Sequence, residues 1–86
     1  MSLHPLSGKR ICLIDDDKSV LAATGQLLER WGCTVHAFYG AETIEGDFDA
    51  IVSDMQLGAF GDGLAFIKVL RQKAGKAIPA VILTGH

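Results

Sequence analysis

This sequence has no excess of positive charge, no cysteine pair at metal-binding spacing and no long apolar run, and each absence closes off a class of function. Ten acidic residues against eight basic ones, a formal net charge of −2, leave no electrostatic footprint for DNA, RNA or an anionic membrane surface. Nucleic acid is not expected as a direct partner of this segment. Cys12 lies in an apolar run and Cys33 follows a glycine; they form no CxxC pair and have no histidine at zinc-ligand spacing. Both read as reduced core thiols. No apolar stretch approaches the ~20 residues of a membrane span, and the start, Met1 to Arg10, is polar and contains proline. The chain therefore reads as cytoplasmic and not membrane-bound through this segment. Residues 1–8 read as a flexible start, with Met1-Ser2-Leu3 as a cloning remnant.

What is present is apolar patterning. Hydrophobic residues make up 49% of the 86, enough for one small domain over residues 1–86, since a chain of this size buries about 60–65% of its unfolded surface. Ile11, Cys12, Leu13 and Ile14 form a short apolar run that stops at three aspartates, the pattern of a strand buried on both faces. From Lys18 to Trp31, Val20, Ala23, Leu27, Leu28 and Trp31 recur at spacings of three and four, which predicts an amphipathic helix ending at Gly32. Val35, Ala37 and Phe38 make a second strand, and a weak helix is expected around Ala41 to Glu45.

Ala50, Ile51 and Val52 form a third strand, which ends on Asp54. The glycine-rich stretch Leu57 to Gly63 is a loop. A further helix follows, with Leu64, Phe66, Ile67 and Leu70 facing inward and Arg71 and Lys73 in its last turns, where cations suit the macrodipole. After Pro79, residues Ala80 to Thr84 make a fourth buried strand. Strands alternating with helices imply right-handed crossovers and a doubly wound α/β parallel sheet. In the flavodoxin-like order 2-1-3-4 the ligand site lies between strands one and three. These are the strands that end in aspartates, so Asp16 and Asp54 should face one another, with Thr84 reaching the same rim.

Several carboxylates at one rim repel each other, and without a counter-ion one of them is driven toward protonation. A hard divalent cation resolves the conflict, because magnesium joins one or two carboxylates to a phosphate while keeping several waters. An aspartate is also a nucleophile toward phosphorus, so the arrangement suggests phosphoryl transfer onto a carboxylate. Thr84 could supply a hydroxyl.

Ile11 to Asp17, Asp54 to Gly63 and Val81 to Gly85 resemble the three motif blocks of bacterial response-regulator receiver domains. The resemblance implies that Asp15 and Asp16 hold Mg2+ or Mn2+, that Asp54 is the phosphoacceptor and also a metal ligand, and that the Gln56 backbone carbonyl is a further ligand. It implies that Thr84 is the switch hydroxyl. The donor would be a histidine kinase or a histidine phosphotransfer protein, and a homodimer is a common output. Leu27 to Gly32 and Ile82 to His86 resemble receivers attached to hybrid histidine kinases. The family usually has proline four residues after the phosphoacceptor and glycine four beyond that; here Gly58 and Asp62 stand there and Gly63 comes one residue late, implying a longer loop. The family's fifth strand, its terminal lysine and its fifth helix do not occur before His86. Either the natural protein continues or a second copy completes the fold, and a fourth strand left as an apolar edge would favour pairing or aggregation.

Single residues also have plainer readings. Asp17 suits an N-cap, Asp54 alone would be an ordinary strand-end aspartate, and His4, His36 and His86 read as surface residues. Two other functions fit parts of the chain. One is a haloacid-dehalogenase-like phosphatase with Asp15 as nucleophile and Asp17 as acid/base, in which Asp54 would have no task. The other is a docking module that no longer accepts phosphate.

Overall fold

The computed structural model describes residues 6–39, 44, 46–58 and 61–83. The elements run β1 (Arg10–Ile14), α1 (Lys18–Arg30), β2 (Thr34–Phe38), β3 (Ala50–Asp54), α2 (Gly63–Ala74) and β4 (Ala80–Leu83). All strand pairs are parallel, in the order β2-β1-β3-β4. The central strand β1 is apolar on both faces because both faces are covered: Cys12 and Ile14 pack with Ile51, Ile67 and Leu70, while Ile11 and Leu13 pack with Leu28 and Cys33. The helices thus lie on opposite sides of the sheet, as a doubly wound fold requires. Among the described residues no helix is long and apolar enough to cross a membrane.

Helix α1 starts where Asp17 accepts hydrogen bonds from the Ser19 and Val20 amides at 2.9 and 3.2 Å. It ends in a Schellman turn, with Gly32 at φ +88° donating to the Glu29 carbonyl and Cys33 to that of Leu28. Its buried face differs from the expected one. Leu21, Gly25 and Leu28 face the sheet, whereas Val20, Leu27 and Trp31 are exposed. Gly25 is buried on that face, where a Cβ would make only ordinary contacts with Leu13 at 3.8 Å and Val35 at 3.9 Å, and a glycine carries no apolar side chain to mark the face in the sequence. Of the expected stripe Leu28 is buried as read, and Val20, Ala23, Leu27 and Trp31 turn away from the sheet.

The same correction applies to α2. Phe66, Ile67 and Leu70 face inward, but Leu64 is 56% exposed, because the inward position of the first turn belongs to Gly63. Strand β4 is an edge of the described sheet, as expected, but Val81, read as part of its buried run, is 56% exposed. Helix α1 packs across β1 and β2 and leaves that face of β4 uncovered.

His36, expected at the surface, is half-buried on β2 and meets the Phe48 ring edge-on at 5.5 Å, with Nε2 buried and unbonded. The helix expected around Ala41 to Glu45 lies outside the described residues except Ile44, which is buried in the core. Leu6 to Gly8, read from sequence as part of a flexible start, form a turn in which Gly8 donates to the Gly32 carbonyl at 2.8 Å. Leu6 packs against the α1-side core.

Both cysteines are free and buried, as expected. Burial pushes the Cys12 thiol up to about 12 and raises that of Cys33, so neither is a thiolate at neutral pH. In native protein both should react with a disulfide reagent only at the rate of unfolding, and immediately in urea; fast native labelling would contradict the packing. A second outcome concerns Gly63, where an added Cβ would overlap the Asp54 carbonyl oxygen and lie 2.6 Å from Ser53 Oγ. Gly63→Ala should cost about 3 kcal/mol in urea unfolding, against about 1 kcal/mol for Gly75→Ala, which has φ +68° but open space.

Candidate functional site

The site is made by register. Ile14 pairs with Ser53 in the β1–β3 ladder, so the residues that follow them, Asp15 and Asp54, leave the sheet side by side. Asp15 is tied down on two sides: its amide donates to the Phe38 carbonyl at 3.2 Å, and its Oδ1 accepts from the Asp17 amide at 2.8 Å. That second bond turns the chain so that Asp16 projects beside it. One carboxylate oxygen from each of Asp15, Asp16 and Asp54 lies within 4.8 Å of the others. They line an open depression of about 530 Å³ together with Gln56, Gly58 and Leu83.

The electrostatics of this cluster are unbalanced. Asp15 is only 4% exposed, and loss of solvation is the main cause that raises its carboxyl above the ordinary value of 3.8. The Asp17 amide opposes that rise, and the charges of Asp54, Asp16 and Asp17 add to it. Mutual repulsion was expected from the sequence; burial as the larger cause was not. Among the described residues no lysine, arginine or histidine pairs with these carboxylates, and the ion pair that does form, Lys76 with Asp47 at 3.2 Å, involves none of them. Lys18 sits over the Tyr39 ring at 4.7 Å. The donor set is therefore all oxygen and lacks a cationic side chain, which suits a hard divalent cation.

Gln56 and Asp62 form an isolated antiparallel bridge whose hydrogen bonds run from Gly63 to Met55 at 2.8 Å and from Leu57 to Gly61 at 2.9 Å. Neither bond uses the Gln56 carbonyl, and Gln56 lines the depression. Thr84 lies outside the described residues; Leu83, which precedes it, lines the site. Asp17 caps α1 through its Oδ1, as expected, and also lines the depression.

Two contributors were missed in the sequence. Ser53 is fully buried, and its hydroxyl donates to the Asp54 carbonyl at 2.9 Å. Gly63 abuts that same carbonyl and brings the start of α2 onto the end of β3. The late glycine had been noted as a loop irregularity. Its role could have been found by asking which residue lets a helix approach a strand end.

Residues 11–86 match the response regulator receiver domain family. No curated protein matches the chain. Among solved structures, a yeast Spc42 trimeric coiled-coil segment fused to another structure aligns with 100% of this chain and 58% of its own, at TM-score 0.77 and 25% identity. The non-phosphorylated HemR receiver domain from Leptospira biflexa aligns over 88% of this chain and 64% of its own, at TM-score 0.73 and 23% identity. The BeF3-activated DrrB receiver domain aligns over 91% and 69%, at TM-score 0.67 and 19% identity. The chain thus spans about three fifths of the length of the first two, 58% and 64%. With its parallel 2-1-3-4 sheet and a family match that runs from β1 to the last residue, the chain belongs to the response regulator receiver domain family.

Proposed function

We propose that the chain is the phosphoacceptor of a two-component system, with Asp54 receiving a phosphoryl group from a phosphohistidine on a histidine kinase or histidine phosphotransfer protein. The observation that carries this reading is the carboxylate triad, three oxygens within 4.8 Å and without a cationic partner among the described residues. Asp15, Asp16, Asp54 and the Gln56 carbonyl would hold the cation, Mg2+ or Mn2+, which when bound supplies charge neutralisation for the transferring oxygens. An Asp54 carboxylate oxygen attacks phosphorus, the P–N bond to the donor imidazole breaks, and the imidazole leaves with its electron pair and takes up a proton. Asp54 is suited to attack because it is half-exposed at the open rim, whereas Asp15 is buried and committed to the Asp17 amide.

The new phosphoryl group adds nearly two negative charges at the ends of β1 and β3. Thr84, next after β4, is the proposed hydroxyl that turns toward it and relays the change to a protein-binding surface, a homodimer face among the options.

The direct test is incubation with acetyl phosphate, with and without magnesium, followed by peptide mass spectrometry. A magnesium-dependent adduct on Asp54 is expected, absent in Asp54→Asn and reduced in Asp16→Asn. An adduct on Asp15 would move the assignment to a phosphatase; none on the longest natural chain would leave a docking module.

Asp15 also sets a pH dependence. Its folded-state pKa is raised, so the stability it contributes is fully present below the unfolded value and is lost as pH rises through the folded one. Metal-free protein should therefore melt lower as pH climbs from about 4 toward neutrality, and Asp15→Asn should flatten that decline. Magnesium at about a hundred times its Kd should return about 2.7 kcal/mol to the parent protein and little to the variant. Thermal melts with EDTA and with magnesium chloride check both signs.

A further inference from the structure

We infer that Gly58 is a positioning residue for the cation site, acting through Asp16, an inference that rests on the receiver reading of the carboxylate triad. Gly58 has φ +59°, and a Cβ built on it would lie 3.0 Å from Asp16 Oδ2, inside the carbon-contact range of about 3.5–4.0 Å. It lines the same depression as the triad. The backbone at this point is held from both sides. Leu57 is fully buried and its amide donates to the Gly61 carbonyl at 2.9 Å, while the Gly58 carbonyl accepts from the Gly61 amide at 3.2 Å. Beyond them, Asp62 caps α2 through the Ala65 amide at 2.8 Å, and Gly63 is wedged on the Asp54 carbonyl. If a side chain were added at Gly58, the Asp16 carboxylate is the group it would meet, and that carboxylate would have to give by a few tenths of an ångström.

The cost of that movement depends on the cation. In the metal-free protein Asp16 is half-exposed, and its carboxylate can rotate away from a new methyl group. Once Asp16 is a ligand, its oxygens are fixed by the ion and the same methyl group displaces a ligand atom. Groups that orient ligands alter metal affinity in this way, commonly by about 10–100-fold. The space beside Gly58 therefore acts on ion binding and not on the metal-free fold.

Gly61 supplies the control. It also has a positive φ, +95°, but a Cβ there meets nothing within 4 Å. Gly58→Ala and Gly61→Ala share the strain of a left-handed alanine; only the first touches Asp16. The experiment is calorimetric titration of the full chain with magnesium chloride and with manganese chloride, alongside urea unfolding in EDTA. Both variants should lose similar metal-free stability, while Gly58→Ala weakens ion binding by about tenfold and Gly61→Ala by less than about twofold. Gly58→Asn, which tolerates left-handed backbone yet carries the same Cβ, should show the same loss and replaces the alanine variant if that fails to fold. Wild-type affinity in the Gly58 variants, or an equal loss in Gly61→Ala, would overturn the inference. A parent chain that binds neither ion would overturn the receiver reading itself.

Discussion

The parallel ladder between β1 and β3 is the constraint on which the rest of the molecule depends. With Ile14 opposite Ser53, the two strands stop together, and aspartates that follow them share one small volume. Charge repulsion and loss of solvation both oppose this arrangement, and they are felt most by Asp15. It is maintained because β1 cannot slip. A shift of one residue would exchange the Cys12 and Ile14 face with the Ile11 and Leu13 face and mismatch both halves of the core. Fully burying one such side chain is worth about 1.5–3 kcal/mol as an upper figure, so several together outweigh the discomfort of a single carboxylate.

Each helix turns a buried glycine to the sheet, but only one of the two contacts requires it. A Cβ at Gly25 would make ordinary contacts with Leu13 and Val35, whereas one at Gly63 would overlap the Asp54 carbonyl, so Gly63 lets the first turn of α2 lie on the end of β3. The second contact matters more for chemistry. It fixes the end of β3 from the side opposite the ladder, and the buried Ser53 hydroxyl satisfies the carbonyl that Gly63 presses against. Asp54 is thus presented from a backbone held by three neighbours, while its side chain stays open to the rim. The proposed phosphoacceptor role needs both properties, a fixed origin and an accessible oxygen.

The loop between β3 and α2 departs from the common family pattern without disturbing that framework. The Gln56–Asp62 bridge ties the start of this loop to its end, and Gly58 lines the depression beside the three carboxylates.

The sequence by itself determined the strand and helix order, the sheet class, the two buried thiols and the candidate aspartates, because each leaves a local signature: an apolar run, a period, a strand-end acid, an unpaired cysteine. Asp17 as a cap was legible for the same reason. The faces of the helices were legible in part: Leu28, Phe66, Ile67 and Leu70 face the core as read, but a glycine turned to the sheet carries no hydrophobic signal, and Val20, Leu27 and Leu64 are exposed. The exposure of Val81 on β4 was not legible, since it depends on how far α1 extends across the sheet. The separation of the three carboxylates, the burial that singles out Asp15, and the contact of Gly58 with Asp16 were decided by tertiary structure alone. They arise between residues far apart in the chain, and only the packed sheet sets the distance between them.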